Sequence, residues 1–296
     1  MANETLLVDL GPDDPGMVVR LPPLEPTFPD YELAPQATVQ NVVAAHGVAA
    51  PAPAVAVEDS AWIGCPFLVM PRVHGDIPGP APVFDPYVGA LGPDARTRLH
   101  VALLDTTAAV HAVPWRQQGL ADVLPGTLVG DALDRWDAYV AWAGEGDPLP
   151  ALTEALAWCR RTCPPSGEEV LLWGDVRLGN LVLDPEQRVV AVLDWDLAAI
   201  GPPEMDLGWL FGLDFMMGSL FGETVSGFLT RRDAVGRYEE ATGRSVQHLE
   251  WHEVFALVRA LAINDRHQRI TGSRRRTANP MVPVLLERLA AARSGV

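Results

Sequence analysis

The sequence predicts an α+β fold of two lobes, a small β-rich N-terminal lobe and a larger, mainly helical C-terminal lobe with an inserted hairpin. The N-terminal part alternates strand-like runs with one helical run, and a stretch rich in proline and glycine follows at 77–86. Apolar residues then recur at helical spacing, except in a strand-rich interlude at 169–195. A chain of 296 residues with 48% hydrophobic residues is long enough to build two packed lobes.

The N-terminal lobe is assigned to residues 1–73 and the C-terminal lobe to residues 74–296. Dense turn chemistry at 11–16 joins the first two strand-like runs into a predicted hairpin, and Gly47 ends the helical run. The expected elements of the N-terminal lobe, in order, are strands at Thr5–Leu10 and Met17–Leu21, a helix at Tyr31–His46, and strands at Ala52–Val57 and Phe67–Val73.

In the C-terminal lobe, helices are expected on both sides of a short hairpin. The hairpin pairs Leu181–Leu183 with Val189–Leu193 through a turn that contains proline. The expected helices are Ala95–His111, Asp131–Ala143, Leu149–Cys163, a segment that begins near Asp206, and Glu250–Asp265.

The charged residues exclude several classes of function. The chain has 22 basic and 38 acidic residues, a net charge of -16, which repels nucleic acid and attracts cationic ligands. Every basic side chain is arginine, so a Walker A loop and a Schiff-base lysine are excluded. The sequence shows neither a signal peptide nor a run of about 18 apolar residues. We therefore expect a cytoplasmic protein that engages neither membrane nor nucleic acid.

Side chains suited to catalysis are concentrated in and around the predicted hairpin. The hairpin brings Asn180 opposite Leu193 or Asp194, so that its amide lies beside the Asp194 carboxylate. Asp194 and Asp196 are two residues apart, and in extended backbone both carboxylates leave the same face. An amide with one or two carboxylates suits Mg²⁺. Asp175, in the loop before Asn180, is placed to reach a substrate hydroxyl, so the set supplies a base and a metal clamp for phosphoryl transfer.

The run Trp173–Asn180, followed by Asp194-Trp195-Asp196, resembles the aminoglycoside phosphotransferase family, which includes choline-kinase-like and other small-molecule kinases. The catalytic loop of that family reads His-Gly-Asp-x4-Asn, and its metal strand reads Asp-Trp/Phe-Asp/Glu. The resemblance implies a protein-kinase-like fold and transfer of the γ-phosphoryl group of ATP or GTP to a small-molecule alcohol. It also implies Mg²⁺ as a cofactor.

The resemblance further implies roles for individual residues. Asp175 is the expected catalytic base, and Arg177 in the same loop is a second catalytic candidate. Asp206 looks like the family's buried aspartate that braces the catalytic loop, with Trp173 as a further structural support. The expected residues at the metal are Asn180 and Asp194 as ligands, and Asp196 as a ligand or an acidic neighbour.

Weaker similarity extends into the N-terminal lobe. The run 67–73 is similar to the family's hinge strand, whose backbone holds the nucleotide base. Met70, Arg72 and Val73 are therefore the expected contacts of the nucleotide. Arg20 stands where the family carries its phosphate-contacting cation.

Four departures from the family's pattern concern these regions. Trp173 replaces a histidine that mostly braces the metal strand, and Arg20 replaces the commoner lysine. Gln36 stands near the place of the glutamate that would pair with that cation, so this ion pair is expected to be absent. The chain also begins almost inside the loop that should close over the phosphates, of which only residues 3–5 remain. We expect either that the N-terminus is shortened, in which case the affinity for ATP is weak, or that the nucleotide lid is lost.

Two other functions are compatible with the residues. The missing lid and the substitutions above suit a pseudokinase-like binding module. Asp194-Trp195-Asp196 alone suits a haloacid-dehalogenase-type phosphatase, although that family has Thr or Val where this chain has Ala198. A second His-Gly-Asp at 74–76 is expected in a hinge turn, because Ala81 stands where a catalytic loop needs asparagine. The identity of the acceptor, the choice between ATP and GTP, and the oligomeric state are not encoded in any of these patterns.

Overall fold

The computed structural model describes residues 4–11, 14–126, 129–165, 167–222, 224–272 and 278–294. Its strands are β1 (Glu4–Val8), β2 (Met17–Leu21), β3 (Val55–Val57), β4 (Phe67–Pro71), β5 (Val170–Leu172), β6 (Leu181–Leu183), β7 (Val189–Val192) and β8 (Ala199–Gly201). Its helices are α1 (Leu33–Ala45), α2 (Pro86–Ala90), α3 (Pro93–His111), α4 (Val129–Ala143), α5 (Pro150–Arg161), α6 (Glu204–Phe221), α7 (Arg231–Thr242), α8 (Leu249–Ile270) and α9 (Met281–Ser294).

The N-terminal part is an antiparallel sheet in the order β1-β2-β4-β3, with α1 packed against it. The predicted hairpin is confirmed, and Thr5 lies opposite Arg20 in it. Residue 3 of the lid segment and residues 12 and 13 of the predicted turn lie outside the described residues. Strand β3 starts three residues later than expected, because Pro53 lacks the backbone N–H that a strand ladder needs. The predicted small β-rich lobe is thus present, with its helix placed against the sheet.

Helix α8 forms the centre of the C-terminal part. It is buried without interruption from Trp251 to Ala262 and packs against α4, α5, α6 and α9. The run Val254–Ala262 is apolar except for Arg259, and a helical segment of this composition belongs in the core of a larger unit. Among the described residues, no helix is both long enough and apolar enough to cross a bilayer.

The inserted hairpin is confirmed with the predicted register. Strands β6 and β7 are antiparallel, and the Leu193 N–H donates to the Asn180 carbonyl at 2.8 Å. A second pair, β5 with β8, was not predicted and places Leu172 opposite Ala199. Strand β8 has only three residues, too few to show a periodic pattern. The two pairs together anchor both ends of the segment between β5 and β6.

The second His-Gly-Asp triplet connects the sheet to the hairpin. The Asp76 N–H donates to the Leu183 carbonyl at 2.8 Å, and the Leu183 N–H donates to the Asp76 carbonyl at 2.9 Å. His74 Nε2 lies 3.0 Å from the Pro15 carbonyl oxygen. The triplet therefore lies in a turn between the two parts of the chain, as expected. The division of the lobes between residues 73 and 74 stays a prediction.

Gly208 lies where α6 approaches α8 closely. A β-carbon there would lie 2.6 Å from His252 Cβ and 2.7 Å from its carbonyl carbon. We predict that Gly208→Ala lowers the melting temperature by several degrees, because overpacking costs about 1–3 kcal/mol and each kcal/mol shifts a chain of this size by about 2–4 °C.

Gly218 in the same helix provides the matched control. A β-carbon there would meet only Thr224 Cγ2, at 4.0 Å. Gly218→Ala should raise the melting temperature slightly, since alanine is favoured in helices by about 1 kcal/mol. If Gly208→Ala melts at the same temperature as the unchanged protein, α6 and α8 do not pack as closely as described.

Candidate active site

Residues 173–180 form a tight loop between β5 and β6. Gly174 has a φ of 89°, and a β-carbon on it would collide with the Leu197 carbonyl oxygen. Both facts restrict the position to glycine. A single 3-10 turn, Leu178–Asn180, ends the loop and leads into β6. The backbone of the loop therefore follows one path between its two strands.

Asp206, in the first turn of α6, contacts the backbone of this loop. Its Oδ2 accepts from the Trp173 N–H at 2.8 Å, and its Oδ1 accepts from the Gly174 N–H at 2.9 Å. His111 Nε2 lies 3.1 Å from the same Oδ2, and His111 Nδ1 lies 2.7 Å from the Tyr238 hydroxyl. A proton on Nε2 lets His111 donate to Asp206 and accept from Tyr238. These contacts agree with the bracing role inferred for Asp206, which stays a prediction.

Trp173 connects the loop to the segment that carries the predicted metal ligands. It is fully buried, and its Nε1–H donates to the Leu193 carbonyl at 2.8 Å. An indole offers a single donor, and here that donor contacts the backbone that a bracing histidine was expected to contact. The substitution of tryptophan for histidine therefore keeps a hydrogen bond to this backbone.

Asp175 is oriented by three donors. Its Oδ1 accepts from Trp209 Nε1 at 2.8 Å, and its Oδ2 accepts from Arg177 Nε and from Asn180 Nδ2, each at 2.8 Å. Asn180 Nδ2 also donates to the Asp175 carbonyl at 2.9 Å. The side chain is only 12% exposed, so its orientation is well determined by these contacts.

Asp194 and Asp196 approach one cation, although not for the predicted reason. Strand β7 ends at Val192, and Asp194 has a φ of 63°, in the left-handed region that aspartate tolerates. The expected extended backbone with both carboxylates on one face is therefore wrong. Instead, Arg20 Nη2 lies 3.1 Å from Asp196 Oδ1 and 3.9 Å from Asp194 Oδ1. A left-handed turn brings the two carboxylates to the same guanidinium group.

Arg20 pairs with these carboxylates rather than with helix α1. Its Nη1 lies 3.5 Å from Gln36 Oε1, which is a hydrogen bond to a neutral amide. Position 36 thus offers Arg20 a neutral amide in place of a glutamate, and the charge of Arg20 is balanced by Asp194 and Asp196.

The site carries more negative charge than its arginines compensate. Burial, followed by the charges of Asp196 and Asp175, raises the pKa of Asp194 to about 7, while Arg20 opposes this rise. Asn180 Nδ2 is engaged by Asp175, so its Oδ1 is the atom available to a cation. Two carboxylates and an amide oxygen fit Mg²⁺, which completes its shell with water and phosphate. Across the described ranges, no group of three or more His, Cys, Asp and Glu side chains forms a metal site by itself.

Two cavities meet at Asp194, which lines both. The first, of ≈ 450 Å³, is also lined by Asp175, Arg177 and Asp196. We call it the acceptor cavity. The second, of ≈ 420 Å³, we call the hinge cavity. Its lining includes Asn180 and all four residues expected to contact the nucleotide, which are Arg20, Met70, Arg72 and Val73.

Two residues at the site were missed in the sequence. Trp209 donates to Asp175, and its position three residues after Asp206 on the same helical face could have revealed it. Arg259 lies in the buried part of α8, donates to the Gly174 carbonyl at 3.2 Å, and stacks 4.6 Å from the Trp209 ring. Burial lowers the pKa of Arg259 to about 10. An arginine inside the otherwise apolar run Val254–Ala262 was the available signal.

The curated relatives are much longer proteins. A relative in Gallus gallus, "Acyl-CoA dehydrogenase family member 11", is 32% identical over 196 residues, which is 65% of this chain and 24% of that protein. The human protein of the same description is 33% identical over 176 residues, which is 57% of this chain and 21% of that protein. The chain thus spans about a quarter of the length of the curated relatives it matches.

Solved structures share the fold. A putative aminoglycoside phosphotransferase from Ralstonia eutropha JMP134 superimposes with a TM-score of 0.72 at 22% identity, over 97% of this chain and 92% of that one. The GDP complex of aminoglycoside 2'-phosphotransferase-IIIa has a TM-score of 0.59 at 14% identity, over 99% and 94% of the two chains. The model of the phosphotransferase enzyme family matches residues 2–267. This kinase-type enzyme therefore belongs to the phosphotransferase enzyme family.

Proposed function

We propose that this enzyme transfers the γ-phosphoryl group of ATP or GTP to a hydroxyl of a small molecule, in a reaction that depends on Mg²⁺. The observation that carries the proposal is the position of Asp194 between the two cavities, with Asp175 in one and Arg20 in the other. The acceptor occupies the acceptor cavity, and the nucleotide occupies the hinge cavity. The phosphoryl group then crosses beside Asp194.

Asp175 is the proposed base, and its hydrogen bonds support this role. A carboxylate can accept about four hydrogen bonds. Trp209, Arg177 and Asn180 supply three of them. About one lone-pair position of the carboxylate therefore remains, and the three donors fix its direction. The hydroxyl of a substrate can donate a hydrogen bond to this position. Holding that hydroxyl in line with the phosphoryl group is the main contribution a protein makes to this reaction class.

Asn180 and Asp194 are the proposed metal ligands, with Asp196 beside them. Bound Mg²⁺ supplies positive charge that neutralises the triphosphate and the developing transition state. Arg20 contacts both carboxylates and also lines the hinge cavity, so it can exchange a carboxylate for a phosphate when nucleotide enters. The GDP complex of a neighbour with this fold supports a purine nucleotide as the phosphoryl donor.

The dependence of nucleotide binding on Mg²⁺ distinguishes an active kinase from a binding module that has lost catalysis. We expect ATP or GTP to raise the melting temperature more with Mg²⁺ than with EDTA. At about a hundred times the dissociation constant, the gain is about 2.7 kcal/mol. A thermal-shift titration with each nucleotide measures it. Stabilisation that is equal with and without Mg²⁺ would favour the binding module.

Asp175→Asn should abolish phosphoryl transfer while leaving the fold intact. The removal of a general base typically lowers the rate by about 10²–10⁴-fold. Asp76→Asn is the matched control, because Asp76 ends the other His-Gly-Asp and its side chain is exposed. Nucleotide turnover in the presence of an alcohol panel should fall only for Asp175→Asn. An Asp175→Asn protein with unchanged turnover excludes Asp175 as the base.

Asp194→Asn should stabilise the ligand-free protein while removing its response to Mg²⁺. The folded-state pKa of Asp194, about 7, is higher than the ordinary 3.8. The folded protein therefore holds this proton up to a higher pH than the unfolded chain, and stability decreases as pH rises from about 4 to 7. The amide does not ionise, so the variant should melt higher at pH 8, with a smaller difference at pH 5.

Thermal melts of both proteins in EDTA measure this difference, and the same melts with Mg²⁺ and nucleotide measure the lost response. A difference in melting temperature that is the same at pH 5 and pH 8 would show that the ionisation of Asp194 does not strain the fold.

A further inference from the structure

Arg259 is a buried cation in the middle of an apolar helical run. Every other residue of Val254–Ala262 in α8 is apolar, and Arg259 itself is only 4% exposed. Across the described residues its guanidinium group forms no ion pair, and its Nε has no hydrogen-bond partner. A buried charge without an ion-pair partner is costly, so a hydrocarbon side chain would suit this position better if it only filled the core.

The guanidinium group contacts two groups that determine where Asp175 lies. Its Nη2 donates at 3.2 Å to the carbonyl of Gly174, which belongs to the peptide group that joins Gly174 to Asp175. Its Cζ lies 4.6 Å from the centre of the Trp209 ring, and the N–H of this indole donates to Asp175 Oδ1 at 2.8 Å. One side chain therefore holds Asp175 by its backbone and, through Trp209, by its carboxylate.

The position of the guanidinium group is itself restrained. A second indole, that of Trp136 on α4, lies 5.3 Å from its Cζ, and cations are attracted to the faces of such rings. Arg259 lines neither the acceptor cavity nor the hinge cavity. Any effect of Arg259 on the reaction must therefore pass through the groups that it holds.

We infer that Arg259 is a positioning residue for Asp175, because it fixes both the peptide group before Asp175 and the indole that orients its carboxylate. This inference rests on the proposed phosphotransferase function, since it concerns the base of that reaction. A displacement of about 1 Å at a reacting group can cost about 10²-fold in rate. The stability lost by burying the charge is thus a cost of holding the base in place.

Arg259→Met tests this role, because methionine keeps an unbranched side chain and removes the charge and the donors. We expect kcat to fall about 10²-fold and the KM for nucleotide to stay unchanged, since the hinge cavity is not altered. The assay is the turnover of ATP or GTP with Mg²⁺ and the alcohol panel, at a temperature where thermal melts show both proteins fully folded. The melting temperature should not decrease, because the cost of burying the charge is removed.

Arg288→Met is the matched control for the loss of a buried arginine. Arg288 on α9 is also buried, but its Nε donates to Glu253 Oε2 at 2.7 Å, and it lines neither cavity. Breaking this pair should lower the melting temperature and leave kcat unchanged. The two arginine variants should therefore have opposite effects on stability and on turnover. If Arg259→Met behaves like the control, Arg259 serves only the fold and the inference is overturned.

Two further variants test the route through the indole. Trp209→Phe keeps a ring and removes the N–H, so combining it with Arg259→Met should lower kcat by less than the product of the two single losses. Arg259→Lys keeps the charge and a donor but lacks the planar group that lies over the indole, so its kcat should be intermediate. If Arg259→Met does not fold, Arg259→Lys and its combination with Trp209→Phe provide the same test. Fully multiplicative losses would contradict the route through Trp209.

A measurement without turnover separates this inference from the proposed reaction. The chain has nine tryptophans, and the indole N–H resonance that is missing from the NMR spectrum of Trp209→Phe belongs to Trp209. In ligand-free Arg259→Met, this proton should exchange with solvent about tenfold faster, because its hydrogen bond to Asp175 is weakened. Unchanged exchange would overturn the positioning role. Faster exchange in a protein that turns over no nucleotide would uphold it and exclude the proposed reaction.

Discussion

The carboxylate of Asp206 is the constraint on which the geometry of the site depends. It accepts two consecutive backbone N–H groups at the start of the loop that carries Asp175. A buried carboxylate is tolerated only when it is well hydrogen-bonded, and here His111 contacts it in addition to the two loop donors. Asp206 also lies in the first turn of α6, where the helix dipole stabilises a negative charge. Because the same helix also carries Trp209, one element sets both the backbone of the loop and the orientation of the Asp175 side chain.

The site has more aspartates than arginines, and this surplus of negative charge relates its geometry to the proposed function. Asp175, Asp194 and Asp196 converge where the two cavities meet, and Arg20 and Arg177 compensate them only in part. A surplus of buried negative charge destabilises a folded chain, so such a cluster is understandable where a ligand brings positive charge.

Predictions from the sequence were best for groups that are near one another in the chain. The pairing of β6 with β7 was predicted because a turn signal and two apolar runs are contiguous. The departures have local causes: β8 is too short to show periodicity, and the left-handed conformation of Asp194 interrupts the strand that alternation assumed. Even so, Asp194 and Asp196 both contact the guanidinium group of Arg20, because a turn, like a strand, can bring two side chains to the same point.

The sequence by itself determined the family, the two-lobed α+β plan and the order of the polar groups from Asp175 to Asp196, since these depend on local periodicity and spacing. Only the tertiary structure decided which distant side chains orient them. Arg259 under the loop and Arg20 beside the two carboxylates come from elements far away in the chain. Such contacts depend on how helices and sheets pack, and periodicity within one segment carries no information about its packing partner.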